Sequence, residues 1–132
     1  MRLDLGFMLL AAATLLLGSC MGMWMGMVHD FTLAPVHAHL NLVGWASLAL
    51  FGLAYRAWPA MADSRLAVAH ITASGTGALA LPAGIALAVL DVTPLLAILG
   101  ALLWVAGAAL FLLGLLRLAF APEGRLAPVP AE

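Results

Sequence analysis

Between Arg65 and Arg117 the chain carries one charged residue, Asp91, and between Asp4 and Arg56 it carries one more, Asp30. A soluble domain covers its surface with about 25% charged residues. Here 8% are charged and 66% are hydrophobic. Such runs are predicted to lie in a bilayer, where a spanning helix takes roughly 20 apolar residues at ~1.5 Å each. The 132 residues then hold four spans, over 5–28, 36–58, 65–90 and 95–116, and a short polar tail over 117–132. The predicted fold is an all-α, integral membrane four-helix bundle forming one transmembrane domain. No soluble domain fits beside it.

The breaks between spans are written in the same sequence. Asp30 and Pro35 separate the first two spans, and Pro35 suits the first turn of the second. Tyr55, Arg56 and Trp58 are interfacial anchors before Pro59. Asp63 and Ser64 are good caps for the third span, which Pro82 is predicted to kink. Asp91 to Pro94 reads as a tight turn with a cap and a proline start. All five arginines, Arg2, Arg56, Arg65, Arg117 and Arg125, fall at one end of the spans. The opposite loops carry Asp30 and Asp91 and no arginine. The positive-inside rule then predicts both termini in the cytoplasm; if the membrane is a bacterial inner membrane, the His29–His39 end is periplasmic. There is no lysine and the net charge is −1, so nucleic acid is not an expected partner.

Cys20 is the single cysteine. The stretch Leu17-Gly18-Ser19-Cys20 resembles a lipoprotein cleavage box. The apolar tract runs on to Val28 without a polar tether, so the first span is expected to be retained and Cys20 unlipidated. Gly18, Gly22 and Gly26, spaced by four, lie on one face and admit a close neighbour. Met21, Met23, Met25 and Met27 have a period of two. That scatters thioethers around a helix, so they are read as gap fillers rather than a copper path.

Three of the four histidines, His29, His37 and His39, lie within eleven residues at the arginine-free end, with Asp30 and Asn41 beside them. Ionisable groups at membrane depth are functional candidates. On a regular helix His37, Asn41, Gly44 and Leu48 share a face. His39 points about 200° away, so the two imidazoles meet on one metal only if residues 36–38 are not helical. A haem would need axial histidines, a flat apolar slot and small residues against the macrocycle. Gly44 lies below His37, and Gly77 and Gly84 lie beyond His70, each on the histidine's own face. Trp45 and Phe51 are candidate walls. The fourth span is the control: its Gly100, Gly107 and Gly114 stripe has no histidine, so glycine stripes alone also read as helix packing. A copper site from His29, His37 and His39 is the second option. Interfacial rings bonded to carbonyls and water are the third. His70 should lie roughly 24 Å in depth from His39. It serves either a second site or the polar patch of Thr72, Ser74 and Thr76. Neither a nucleophile with a base nor a carboxylate pair appears.

The run His37-Ala38-His39-Leu40-Asn41-Leu42-Val43-Gly44-Trp45, extended from Pro35 to Tyr55, resembles small four-span bacterial membrane proteins labelled cytochrome c oxidase-like. These are distantly similar to subunit I of the haem–copper oxidase and nitric oxide reductase superfamily. The likeness continues at Arg65-Leu66-Ala67, His70 and Pro82-Ala83-Gly84. It implies haem b, with copper as a further option, held by histidines among His29, His37, His39 and His70. A complete oxidase subunit has many more spans and histidines, so this chain is not expected to be an oxidase alone.

The sequence thus favours a small b-type haem protein for electron transfer or diatomic gas binding. Its cofactor residues would be His37, His39, His70, Asn41, Gly44 and Trp45, with His29, His37, His39 and His70 as metal ligands. The alternative is a copper-binding or accessory protein of a respiratory complex without haem. Glycine faces left over on the first and fourth spans predict a homo-oligomer, a dimer or trimer, with a redox protein as a further partner.

Overall fold

The structure is a computed structural model that describes residues 2–62 and 65–121. The expected cap at Asp63 and Ser64, Arg125 and the tail beyond residue 121 lie outside the described residues. The described residues form helices and no strand. Four helices are long and apolar enough to cross a membrane: α1 (Leu3–Val28), α2 (Ala34–Ala57), α3 (Arg65–Val89) and α4 (Leu95–Ala119). A single 3₁₀ turn, Pro59–Met61, follows α2. This is the pattern of a multi-pass membrane protein, and the four predicted spans fall on the four helices.

The helices end where the sequence supplies the chemistry. His29 takes a left-handed conformation (φ 56°) and closes α1. Asp30 Oδ1 then accepts the Thr32 amide at 2.9 Å, forming the turn into α2. The Thr32 hydroxyl, and after it the Thr32 amide, hold the Asp30 carboxyl below the usual carboxylate range. At the end of α3, Asp91 is left-handed (φ 54°). The Val92 amide reaches back to Leu87 O at 2.9 Å, satisfying a terminal carbonyl. Thr93 Oγ1 accepts the Leu95 amide at 3.3 Å and starts α4. The helix α3 continues through Pro82, which is buried.

The helices pair as two hairpins, α1 with α2 and α3 with α4. In the second hairpin backbone meets backbone. A Cβ on Gly77 would come within 2.7 Å of the Trp104 amide nitrogen, and one on Gly100 within 2.5 Å of that of Leu81. Gly84 and Gly107 leave no more room, against Ala97 and Ser74. The hairpins meet at an aromatic cluster near the arginine-bearing end. Phe7 of α1 stacks on Tyr55 of α2 (centroids 5.5 Å), and Phe51 packs on Phe111 of α4 (4.5 Å). His70 of α3 sits among these rings.

One feature of α2 departs from the regular helix assumed from sequence. Leu40–Ser47 is π-helical, while Ala34–His39 and Leu48–Ala57 are α-helical. A π segment makes i→i+5 bonds and is commonly found beside functional residues. The Ser47 hydroxyl donates to Leu42 O, five residues back, at 2.7 Å. This absorbs a polar group on the open side of the helix.

Candidate functional site

The site is built on two glycines of α1. In an α-helix each Cβ leans toward the N-terminus and shades the carbonyl of the preceding turn. Gly22 has no Cβ, so the Gly18 carbonyl stays open to a donor from outside the helix. His37 of α2 uses it: its Nδ1–H donates to Gly18 O at 2.9 Å. The imidazole lies so close to Gly22 that a Cβ there would come within 2.7 Å of Cε1. Asn41, one turn on, fills the space over Gly18, where a Cβ would come within 2.5 Å of its Nδ2. That Nδ2 donates to the His37 carbonyl at 2.8 Å and lies 3.4 Å from His37 Nδ1. The G-x-x-x-G face therefore seats a ring and an amide, where the sequence pattern suggested a second backbone. Gly26, next on the same face, has nothing within 4 Å of a Cβ.

A carbonyl oxygen only accepts, so the bond to Gly18 fixes the His37 tautomer. In the neutral ring Nδ1 then carries the proton and Nε2 keeps its lone pair. His39 reaches the same tautomer by a local route, its Nδ1–H donating to Pro35 O at 2.7 Å. In neither ring does Nε2 have a hydrogen-bond partner among the described residues. Both rings are half-buried. Imidazoles that ligate a metal through Nε2 are commonly held in this way, with Nδ1–H on a carbonyl or carboxylate.

His37, Asn41, Gly44 and Leu48 do turn toward the bundle together: the first two meet Gly22 and Gly18, Gly44 meets Thr14, and Leu48 is fully buried. Residues 36–38 are helical, so the one condition under which His37 and His39 would share a metal is not met. His29 is exposed at the end of α1. Among the described residues no group of three His, Cys, Asp or Glu side chains gathers closely enough to hold a metal ion. The three-imidazole copper cage is thus not assembled within one chain.

The glycine strips expected to face a macrocycle face other helices. A Cβ on Gly44 would meet Thr14 Cβ at 2.7 Å, and Gly77 and Gly84 are covered by the α4 backbone. The two candidate walls also separate. Trp45 is 43% exposed on the outside of α2, and Phe51 is 8% exposed in the core. A flat group held by α2 must therefore lie on the outer surface of the α1–α2 hairpin. Thr14 itself is fully buried, and its hydroxyl donates to the carbonyls of Leu10 and Ala11 at 3.0 Å each.

His70 belongs to a different place. Its Nδ1 shares a 3.0 Å hydrogen bond with the Tyr55 hydroxyl. Tyr55 lies 18 residues beyond His37 on α2, about 27 Å along the axis. Phe7, Phe51, Tyr55 and Phe111 surround the imidazole with centroids 4.7 to 5.7 Å away. The ring is fully buried, with no face open to a macrocycle. The best assignment of protons has Tyr55 O–H donating to Nδ1, because the reverse would leave the phenol proton without an acceptor. Nε2–H then has no partner, and neither does the buried hydroxyl of Ser74 one turn further on. Sequence reasoning did not pair Tyr55 with His70. Counting depth outward from the loop that joins α2 to α3 brings the two residues toward the same level, and that count was the available signal.

Comparison with protein-family models, with curated proteins and with solved structures finds no match to this chain.

Proposed function

We propose that this is a small multi-pass protein of the bacterial cytoplasmic membrane that holds a b-type haem at its outer face through α2. Both termini face the cytoplasm in this reading, supported by the one-sided arginines. The observation that carries it is the tautomer of His37. Its Nδ1–H is committed to Gly18 O at 2.9 Å across the helix pair, and its Nε2 lone pair is left for an external ligand. His39 offers a second Nε2 on another side of α2. Asn41 is the positioning residue, pinned to the His37 carbonyl. The resemblance of residues 35–55 to oxidase-like four-span proteins supports the same reading.

The imidazoles fit an axial-ligand role, but the enclosing slot is not within one chain, because Thr14 fills the Gly44 strip. The remaining apolar surface is outward, at Met23, Trp24, Met27, Leu42 and Trp45. A homodimer or trimer would cover that surface and wall the macrocycle between subunits. When bound, haem would supply a one-electron couple or a site for a diatomic gas. The protein's part is to fix the imidazole, exclude water and offer an outer face to a redox partner.

A second reading is favoured by the filled glycine strips: an accessory subunit of a respiratory complex without haem, its imidazoles offered to copper. Visible spectra and elemental analysis of protein expressed with haem supply separate the two. The haem reading expects a Soret band that falls at least fivefold in His37→Ala or His39→Ala and survives in His70→Phe. Colourless protein with stoichiometric copper refutes it in favour of the second.

A further inference from the structure

At the arginine-bearing end, between the close of α2, the Pro59–Met61 turn, the start of α3 and the last turns of α4, lies a cleft of about 430 Å³. Tyr55, Met61, Leu66, Leu110, Gly114 and Arg117 line it. Ligand sites typically enclose about 300–1,000 Å³, with apolar walls and few polar groups. This cleft has that character. The Tyr55 hydroxyl is already used by His70, which leaves the Arg117 guanidinium as the polar group available to an occupant. Two other arginines at this end differ from it. Arg2 and Arg56 both approach Asp4, at 3.2 and 3.7 Å. Arg117 is exposed and pairs with no carboxylate among the described residues.

We propose that this cleft seats one anionic phospholipid, with its phosphate on Arg117 and an acyl chain along the Met61, Leu110 and Gly114 wall. Charge complementarity selects the occupant. A guanidinium that pairs with no carboxylate among the described residues, beside an apolar cleft at the end of membrane helices, suits a phosphate that carries hydrocarbon. Exposed Trp58 at the close of α2 marks the same interfacial level. Gly114 keeps the wall open, since a Cβ there would already lie 3.2 Å from Met61 Cε. The proposal rests on the membrane assignment and not on haem.

The test is native mass spectrometry of the full chain in detergent, incubated separately with phosphatidylglycerol and phosphatidylcholine. The wild type should retain one phosphatidylglycerol per chain at collision energies that strip phosphatidylcholine. Retention should fall at least fivefold in Arg117→Gln, partly recover in Arg117→Lys, and stay unchanged in Arg2→Gln. Gly114→Leu should abolish it by filling the cleft. Circular dichroism melts would check that each variant is folded. Equal retention of the two lipids, or full retention by folded Arg117→Gln, overturns the proposal and leaves Arg117 the bland role of complementing the α4 carboxyl end. The Soret band reads the other site, so loss of either property leaves the other measurable.

Discussion

Two alanine substitutions on one face of α1 separate the seat of His37 from its surroundings. Gly22→Ala places a methyl 2.7 Å from His37 Cε1, and Gly26→Ala places one in open space. Ordinary contact begins near 3.4 Å, so the ring must retreat by about 0.7 Å. The Nδ1 bond to Gly18 then stretches from 2.9 Å to roughly 3.6 Å, beyond useful range. Loss of that bond costs about 0.5–1.5 kcal/mol. Overpacking at a well-filled contact adds about 1–3 kcal/mol. Both variants gain the same helix preference of alanine over glycine, about 1 kcal/mol, and the comparison cancels it. Gly22→Ala should therefore be less stable than Gly26→Ala by about 1.5–4.5 kcal/mol. Reversible unfolding in mixed micelles, followed by circular dichroism, measures the difference. If the proposed ligand role holds, haem or metal content should fall in Gly22→Ala alone. Equal stability of the two variants would refute the seat, and with it the reason for the His37 tautomer.

Other outcomes follow from the buried polar groups and the helix contacts. Tyr55→Phe strips the buried His70 Nδ1 of its partner and should destabilise by about 1–3 kcal/mol. Adding His70→Phe should recover part of that loss, because the double variant buries no unpaired nitrogen; a double variant worse than the sum of the singles would refute the pairing. Gly107→Ala drives a methyl into the Ser74 side chain and backbone. It should cost about 2 kcal/mol or more, and Ser74→Ala should relieve only part of it, as differential unfolding would show. Thr14→Val keeps the shape that fills the Gly44 strip. The Thr14 hydroxyl bonds only carbonyls of its own helix, so the change should stay within the net worth of one hydrogen bond, about 1.5 kcal/mol; a larger loss would mean that the hydroxyl does more.

The four helices were legible because charge is so sparse that each break stands out. Asp30 with Pro35, Arg56 with Pro59, and Asp91 with Pro94 mark ends the structure places within a few residues. The inward face of α2 at His37, Asn41, Gly44 and Leu48 was legible too, from helical spacing alone. The use of the glycines was not. Gly18, Gly22, Gly44 and Gly77 carry the same message in sequence, a missing side chain, and only tertiary contact decides what fills it. Gly22 receives an imidazole, Gly44 a threonine and Gly77 a backbone. The π segment was hidden because Leu40–Ser47 contains no proline or other break to announce a change of hydrogen-bond register.

That segment has a consequence for how α2 addresses its neighbours. The 18-residue spacing of His37 and Tyr55 is five whole turns at 3.6 residues per turn. On a uniform helix both would project along one line. The wide turn at Leu40–Ser47 adds a lag of about one residue, roughly 100°. It works as a phase offset along a single rod: above it His37 meets α1, and below it Tyr55 lies between Phe7 of α1 and His70 of α3. Excising one residue from the wide turn would bring the two side chains back into line and draw Tyr55 away from His70.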